Sequence, residues 1–437
     1  METRGTNNIT EKGWLSLDNA AKIYPAVISR ELTSVFRISC TLNSVIKVGT
    51  LQEAIKKVTG RFPYFNTTLR RGFFWYFLEY GEDILPKLSG EEDQELTAFP
   101  AGSVTHALYR ILAKGSRISV EFLHILSDGG GALEFFRTLL VCYFRMCGED
   151  IPYSNGIIDP DSKVENEETE DSFKKYYNSY LPAPDKYSKS WHIPDLLSKP
   201  LQVNVTEFEV EVKQLKDISL SLDISITEYL ASVYLYCLQE IQSEQKSSGI
   251  KPKETTIRLE VPINMRRLLP SKTMRNFSLF VMPEIDTGLG EYTFEEIVRV
   301  VYHYMRAQTD IKLIRRIITR NVKPEYNPVV RYMPIFIKNI VLTAAFYLHG
   351  STKFASVMTN VGIIDMPEEA GHLINSFSIT PPPPTKRHKI SCGIASYNNK
   401  MRIVFTNITD AFTLERTFVQ FLIKQNINVL LINRKIS

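Results

Sequence analysis

Along the first 150 residues the apolar positions switch between a two-residue and a helical period. Val35-Phe36-Arg37-Ile38-Ser39-Cys40 alternates, with Phe36, Ile38 and Cys40 on one face, which predicts a strand with one buried side. Leu51, Ala54, Ile55 and Val58 then recur at helical spacing. Thr50-Leu51-Gln52-Glu53 has the spacing of a capping box, in which threonine and glutamate each satisfy an orphan backbone donor, and Gly60 marks the expected helix end. Residues 107–112 and 117–126 predict two strands joined at Lys114-Gly115-Ser116, the second with Ile118, Val120 and Phe122 on one face. His124 falls on that face at the strand's end. Beyond three glycines, Leu133, Phe136, Leu140 and Phe144 predict a helix over 131–145, completing a strand, a tight turn and a helix.

The periodicity fades between residues 151 and 200, where prolines stand at 152, 160, 182, 184, 194 and 200. This stretch is the expected connection between an N-terminal domain, 1–150, and a C-terminal one, 201–437. Its acidic run, Glu165 to Asp171, reads as a solvated loop. The second half predicts a strand over 203–212, a helix over 226–242 and a strand over 256–261. A capping box at Thr293-Phe294-Glu295-Glu296 opens a helical stretch reaching toward Arg320. Residues 402–406, Asn407, Asp410 and the helical 414–423 echo the strand, Asp and helix around His124, without a histidine. The longest apolar run, Met333 to Leu348, is interrupted by Lys338 and is shorter than the roughly 20 residues of a spanning helix. It reads as a buried or partly exposed helix, with an interfacial surface for a greasy substrate or membrane as the functional alternative.

Composition narrows the class. Hydrophobic residues at 44% and charged residues at 23% are globular values. The balance of 52 basic and 48 acidic residues gives a net charge of +4, which supplies no basic surface for nucleic acid. Five scattered cysteines lack CxxC pairs, so no disulfide framework or metal site is expected, and the polar residues 1–8 lack an apolar leader segment. A cytoplasmic protein without a transmembrane segment is the expectation. No GxSxG, HExxH or GxxxxGK[ST] pattern is present, which leaves serine hydrolase, zinc protease and nucleotide-binding chemistry without a motif.

The chemistry-bearing segment is Phe122-Leu123-His124-Ile125-Leu126-Ser127-Asp128-Gly129-Gly130-Gly131. An acceptor hydroxyl or amine attacks a thioester poorly while it keeps its proton. An imidazole of pKa about 6.5 takes that proton at neutral pH and returns it to the leaving thiolate. Asp128, at the turn, is placed to pair with an arginine and lock the loop that aims the ring, and Gly129 to Gly131 allow unusual backbone angles and close substrate approach. The other histidines, 106, 192, 303, 349, 372 and 388, lack this neighbourhood.

The segment resembles the HHxxxDG motif of the condensation-domain and acyl-CoA-dependent acyltransferase superfamily, most of all its bacterial alcohol acetyltransferases. Leu123 stands at the first histidine, His124 at the catalytic second, and Asp128 and Gly129 on the Asp and Gly. The resemblance runs on through 17–25 and Arg61-Phe62-Pro63-Tyr64-Phe65 to residues 264–270 and Arg275-Asn276-Phe277. It implies that Arg266 or Arg267 pairs with Asp128, the register leaving both open. Thr359-Asn360-Val361-Gly362 resembles a segment whose side chains donate near the reacting carbonyl, and a turn with satisfied local bonds explains it equally well. Lys386-Arg387-His388-Lys389 offers contacts to coenzyme A phosphates, or a solvated basic loop.

What the resemblance implies is an α/β fold of two chloramphenicol-acetyltransferase-like domains, each a mixed sheet with covering helices, forming a V around a central channel. The implied activity is transfer of an acyl group, in the first place acetyl, from coenzyme A to a hydroxyl of a small or lipid-like acceptor, with acyl-CoA as co-substrate and no tightly bound cofactor or metal. Two alternatives stay open: an amide-forming condensation enzyme fed by a carrier-protein thioester, and a non-catalytic binding protein of the same fold.

Overall fold

The computed structural model describes residues 9–29, 32–90, 96–99, 107–182, 184 and 186–436. Residues 1–8 and His106 lie outside these, as does the side chain of His349. Two mixed sheets dominate. The first runs Ile374–Thr380, Val35–Leu42, Arg117–Leu123, Tyr109–Lys114, Leu88–Ser89, parallel in its last pair alone. Helices Val48–Arg61 and Gly129–Met146 pack on each other, and the second packs on the sheet. The other sheet runs Ser278–Val281, Thr256–Asn264, Ser356–Ile363, Ile390–Tyr397, Lys400–Asn407, Asn204–Glu211, Val429–Ile436, with Glu284–Asp286 also on its second strand. Helix Ile226–Ser247 packs against strand Thr256–Asn264 and against helices Phe294–Gln308 and Thr413–Lys424. A small third sheet joins Trp14–Ser16, Tyr76–Tyr80 and Thr67–Arg71.

The two halves of the sequence interlock. Strand Ile374–Thr380 comes from the second half and pairs antiparallel with Val35–Leu42 in the first sheet. Its Ile379 carbonyl lies 2.4 Å from where a Cβ on Gly393, in the large sheet, would stand. Glycine is required there by contact between backbones, not by its torsion angles.

Several local expectations change in three dimensions. Strand Val35–Leu42 is buried on both faces, because Arg37 pairs with Glu121 at 2.7 Å and Ser39 meets Ser119 at 2.9 Å across the sheet. Thr50 is no cap: helix Val48–Arg61 starts from Lys47 without a side-chain cap, and the Lys47 amide bonds the Tyr143 hydroxyl instead. The Thr293 capping box forms, Glu296 N to Thr293 Oγ1 at 3.3 Å and Thr293 N to Glu296 Oε2 at 2.8 Å. The helix it opens stops at Gln308, and Asp310 caps a new one, Ile311–Val322. The acidic run is not a solvated loop, since Glu168 is buried and takes a bidentate pair from Arg61, at 2.8 and 2.7 Å, with the Tyr64 hydroxyl at 2.6 Å.

Candidate functional site

His124 sits one residue past strand Arg117–Leu123, in a turn closed by Leu126 N on the Leu123 carbonyl. The strand is anchored beneath it by the stacked rings of Phe122 and Tyr109, 4.9 Å apart, with Phe135 edge-on. The His124 amide donates to the Ser34 carbonyl at 3.0 Å, which fixes the backbone where the strand stops. The ring itself is half-buried, stacked on Tyr24 at 5.4 Å between centroids and tilted against Phe36 at 4.7 Å.

One amide sets its tautomer. Asn276 Nδ2 donates to the His124 carbonyl at 3.0 Å and to Asp18 Oδ2 at 3.1 Å, which turns Asn276 Oδ1 toward His124 Nδ1, 3.4 Å away. An amide oxygen only accepts, so the proton lies on Nδ1 and the free lone pair on Nε2. Burial holds the imidazole below its ordinary 6.5, against the Asp128 charge, the Asn276 bond and the Ser127 backbone, which pull the other way. The result is an imidazole neutral at physiological pH with its proton on Nδ1. Asp18 is buried; loss of solvation pushes its carboxyl up to about 6 even with Arg275 beside it. Burial likewise pushes Glu260 up to about 8.

Asp128 does different work. As N-cap of helix Gly129–Met146 its Oδ1 accepts from Gly130 N and Gly131 N, each at 3.1 Å. Its Oδ2 accepts from Arg266 Nη1 at 2.9 Å and Phe277 N at 2.7 Å. Burial pushes this carboxyl up, but the Arg266 charge and the bonds from Arg266, Phe277 and Gly131 outweigh it, and it stays below its usual range. All four bonds go to the scaffold, so Asp128 is a positioning residue that ties the turn after His124 to residues 266–277. Arg266 reaches back to the Thr273 carbonyl at 2.8 Å, and Arg267 lies against Gly362 instead, where a Cβ would stand 3.5 Å from its Nη2.

The glycines serve packing and not unusual torsions: none of the three has a positive φ, and all lie in the helix's first turn. At Gly131 a Cβ would come within 2.1 Å of the Met274 carbonyl oxygen, whereas at Gly129 the nearest atoms are 3.9 Å away, on Ile379 and Val361.

Searched against family models the sequence matches none, and no curated protein matches it. Solved structures do. TRI101 of Fusarium sporotrichioides, complexed with coenzyme A and T-2, superposes with a TM-score of 0.61 at 11% identity over 95% of this chain and 99% of that one. Trichothecene 15-O-acetyltransferase from the same organism gives 0.58 at 9% identity over 94% of each chain. The starter condensation domain of rhizomide synthetase gives 0.53 at 10% identity, covering 94% and 96%. The chain has the condensation-domain and CoA-dependent acyltransferase fold.

The remaining sequence candidates lie on other elements. Thr359 and Asn360 lie half-buried on strand Ser356–Ile363. Asn360 Nδ2 donates to Thr227 at 3.0 Å, and its Oδ1 accepts from Gly362 N at 2.9 Å, where Gly362 has φ +81 and the strand bulges. That amide is the local turn brace. In the basic segment Lys389 donates to the Ile193 and Asp195 carbonyls, and His388 is buried, its pKa pushed down to about 3, leaving Lys386 and Arg387 on the surface. Two concavities, about 640 Å³ beside Val429 and about 230 Å³ beside Tyr187, are lined by none of the His124 group. Among the described residues no group of three His, Cys, Asp or Glu is placed to hold a metal. Sequence reading assigned no role to Asp18, Tyr24 or Asn276, though each lay in a stretch matched to the superfamily; the contacts that join them to the His124 turn span as many as 258 positions.

Proposed function

We infer that the protein is an acyltransferase that moves an acyl group, in the first place acetyl, from coenzyme A to a hydroxyl acceptor, with His124 as general base. The observation that carries this is the neutral imidazole just past strand Arg117–Leu123, whose Nδ1 faces the Asn276 amide oxygen, so that Nε2 is the nitrogen left to act as base. The fold shared with coenzyme A-bound TRI101 supports the donor.

The acceptor O–H gives its proton to His124 Nε2 as its oxygen attacks the thioester carbonyl carbon. The tetrahedral adduct collapses, the C–S bond breaks, and the imidazolium returns the proton to the sulfur, releasing ester and free coenzyme A thiol. Asp128, Arg266 and Gly129 hold the turn, and Arg267 braces the bulge at Gly362. The oxyanion donor in this reading is the Thr359 hydroxyl, with Asn360 keeping that strand in shape. The acceptor is a small or lipid-like alcohol, and the compartment is the cytoplasm. The likeness to the rhizomide synthetase condensation domain supports a second reading, amide formation from a carrier-protein thioester. Incubating pure protein with acetyl-CoA and a panel of alcohols and amines, with free thiol and product mass followed together, separates these. Ester formation is expected. No thiol release with any acceptor refutes the coenzyme A reading.

A further inference from the structure

Helix Ile335–Ala345 has an unusual distribution of side chains. Its protein-facing side buries Ile335 together with polar groups: Lys338, 3% exposed, lies 3.3 Å over the Trp75 ring and donates to the Phe74 carbonyl at 2.8 Å. Asn339 donates to the Tyr76 hydroxyl at 2.9 Å and Thr343 to the Ala26 carbonyl at 2.7 Å. Its solvent side is apolar, with Phe336, Ile337, Ile340 and Val341 open, Phe336 at 57% and Ile340 at 69%. These positions share one continuous stripe. Exposed Phe73, whose carbonyl accepts from Ile335 N at 2.9 Å, widens it. A surface helix in water carries the reverse arrangement, and a contiguous apolar stripe of this kind marks a contact face.

Charge identifies the occupant. From Ile311 to Leu348 the chain has, besides the buried Lys338, six Lys and Arg against a single acidic residue, Glu325, and that one is ion-paired with Lys22. Lys323 and Arg331, both exposed, bracket the exposed Tyr326 and Val329. A second copy of this chain would set the same basic excess against itself, whereas an anionic bilayer complements it. No described helix is long and apolar enough to cross a membrane, so the contact lies in the interface plane. We propose that helix Ile335–Ala345 seats on the surface of an anionic lipid bilayer, its apolar stripe in the acyl boundary and Lys323 and Arg331 among the headgroups. The helix also packs on Tyr24–Val27, and Tyr24 stacks on His124, so docking sets the imidazole two contacts from the bilayer. Delivery of a lipid-dissolved alcohol from that side rests on the acyl-transfer reading; the docking itself does not.

The test is co-sedimentation of the full chain with vesicles of phosphatidylcholine plus phosphatidylglycerol, beside phosphatidylcholine alone, with no acyl donor present. Binding is expected to the anionic vesicles and to weaken with salt. Phe336→Glu with Ile340→Glu is expected to lower the partition coefficient about a hundredfold, with an unchanged circular dichroism spectrum. Independently of any variant, brominated lipid in the anionic vesicles should quench the fluorescence of the intact protein, whose Trp75 lies directly under the helix. Absence of both sedimentation and quenching overturns the proposal, as does a dimer held through this face in sedimentation velocity with no vesicle binding. Failure of the thiol-release assay alongside vesicle binding would remove the catalytic reading and leave the docking in place.

Discussion

Replacing Asp128 with alanine removes four hydrogen bonds at once and strands a guanidinium. Loss of the helix cap costs about 1 kcal/mol. Leaving the Arg266 side chain, only 16% exposed, without its carboxylate costs about 3–5 kcal/mol, so the variant should lose roughly 4–6 kcal/mol in all. Arg266→Ala costs less, about 3 kcal/mol, because Asp128 keeps its bonds from Gly130, Gly131 and Phe277. The double variant should fall short of the sum by about 2 kcal/mol, the coupling of one shared contact. Urea unfolding followed by tryptophan fluorescence measures all three. The folded carboxyl is held below its unfolded value, so its stabilisation is complete above the unfolded pKa and lost as pH falls through the folded one. The gap between wild type and Asp128→Ala should therefore close in acid. A cost under about 1 kcal/mol for Asp128→Ala, or strict additivity, would show that this carboxylate does not clamp the turn.

Glycine substitutions should separate sharply: Gly131→Ala, with its Cβ 2.1 Å from a backbone oxygen, destabilises by about 2 kcal/mol or more, while Gly129→Ala changes the melting temperature little. Equal effects would contradict the packing account. Asn276→Ala frees the imidazole to change tautomer and should lower kcat about tenfold with little change in KM for acetyl-CoA; an unaltered kcat would speak against that role for the amide. The base must be neutral, so kcat/KM should rise with pH through the His124 pKa, and since burial lowers that value the midpoint is expected below 6.5; a midpoint at or above 7 would speak against it. Thr359→Val should cut kcat about a hundredfold if its hydroxyl meets the oxyanion, and an unaltered kcat rejects that assignment.

Legibility in the sequence followed the range of the interactions. The strand, turn and helix around His124 depend on neighbours within a few positions, and strand Arg117–Leu123 and helix Gly129–Met146 fall close to the expected 117–126 and 131–145, although the strand stops one residue short of His124 and the glycines open the helix instead of forming the turn. The choice between Arg266 and Arg267 could not be read, because only the 3₁₀ turn Met265–Arg267 determines which guanidinium faces Asp128. Thr50 carried a good local cap signal, but the helix starts before it, from Lys47, whose amide a distant residue, Tyr143, engages. The acidic run looked solvated because its partner Arg61 lies 107 positions from Glu168. Helix Ile335–Ala345 shows the limit most clearly, since its periodicity marks two faces but not which of them meets the protein. There the buried side took in Lys338 beside Ile335, through carbonyl and ring contacts at positions 74 and 75.

The general-base role of His124 is tested most directly by free thiol release from acetyl-CoA, comparing wild type with His124→Ala in the presence of an alcohol that the wild type acylates. The substitution should lower kcat/KM by about 10²–10⁴ while the melting temperature and coenzyme A affinity hold near wild type. A folded His124→Ala protein that releases thiol within a few-fold of the wild-type rate would contradict the mechanism.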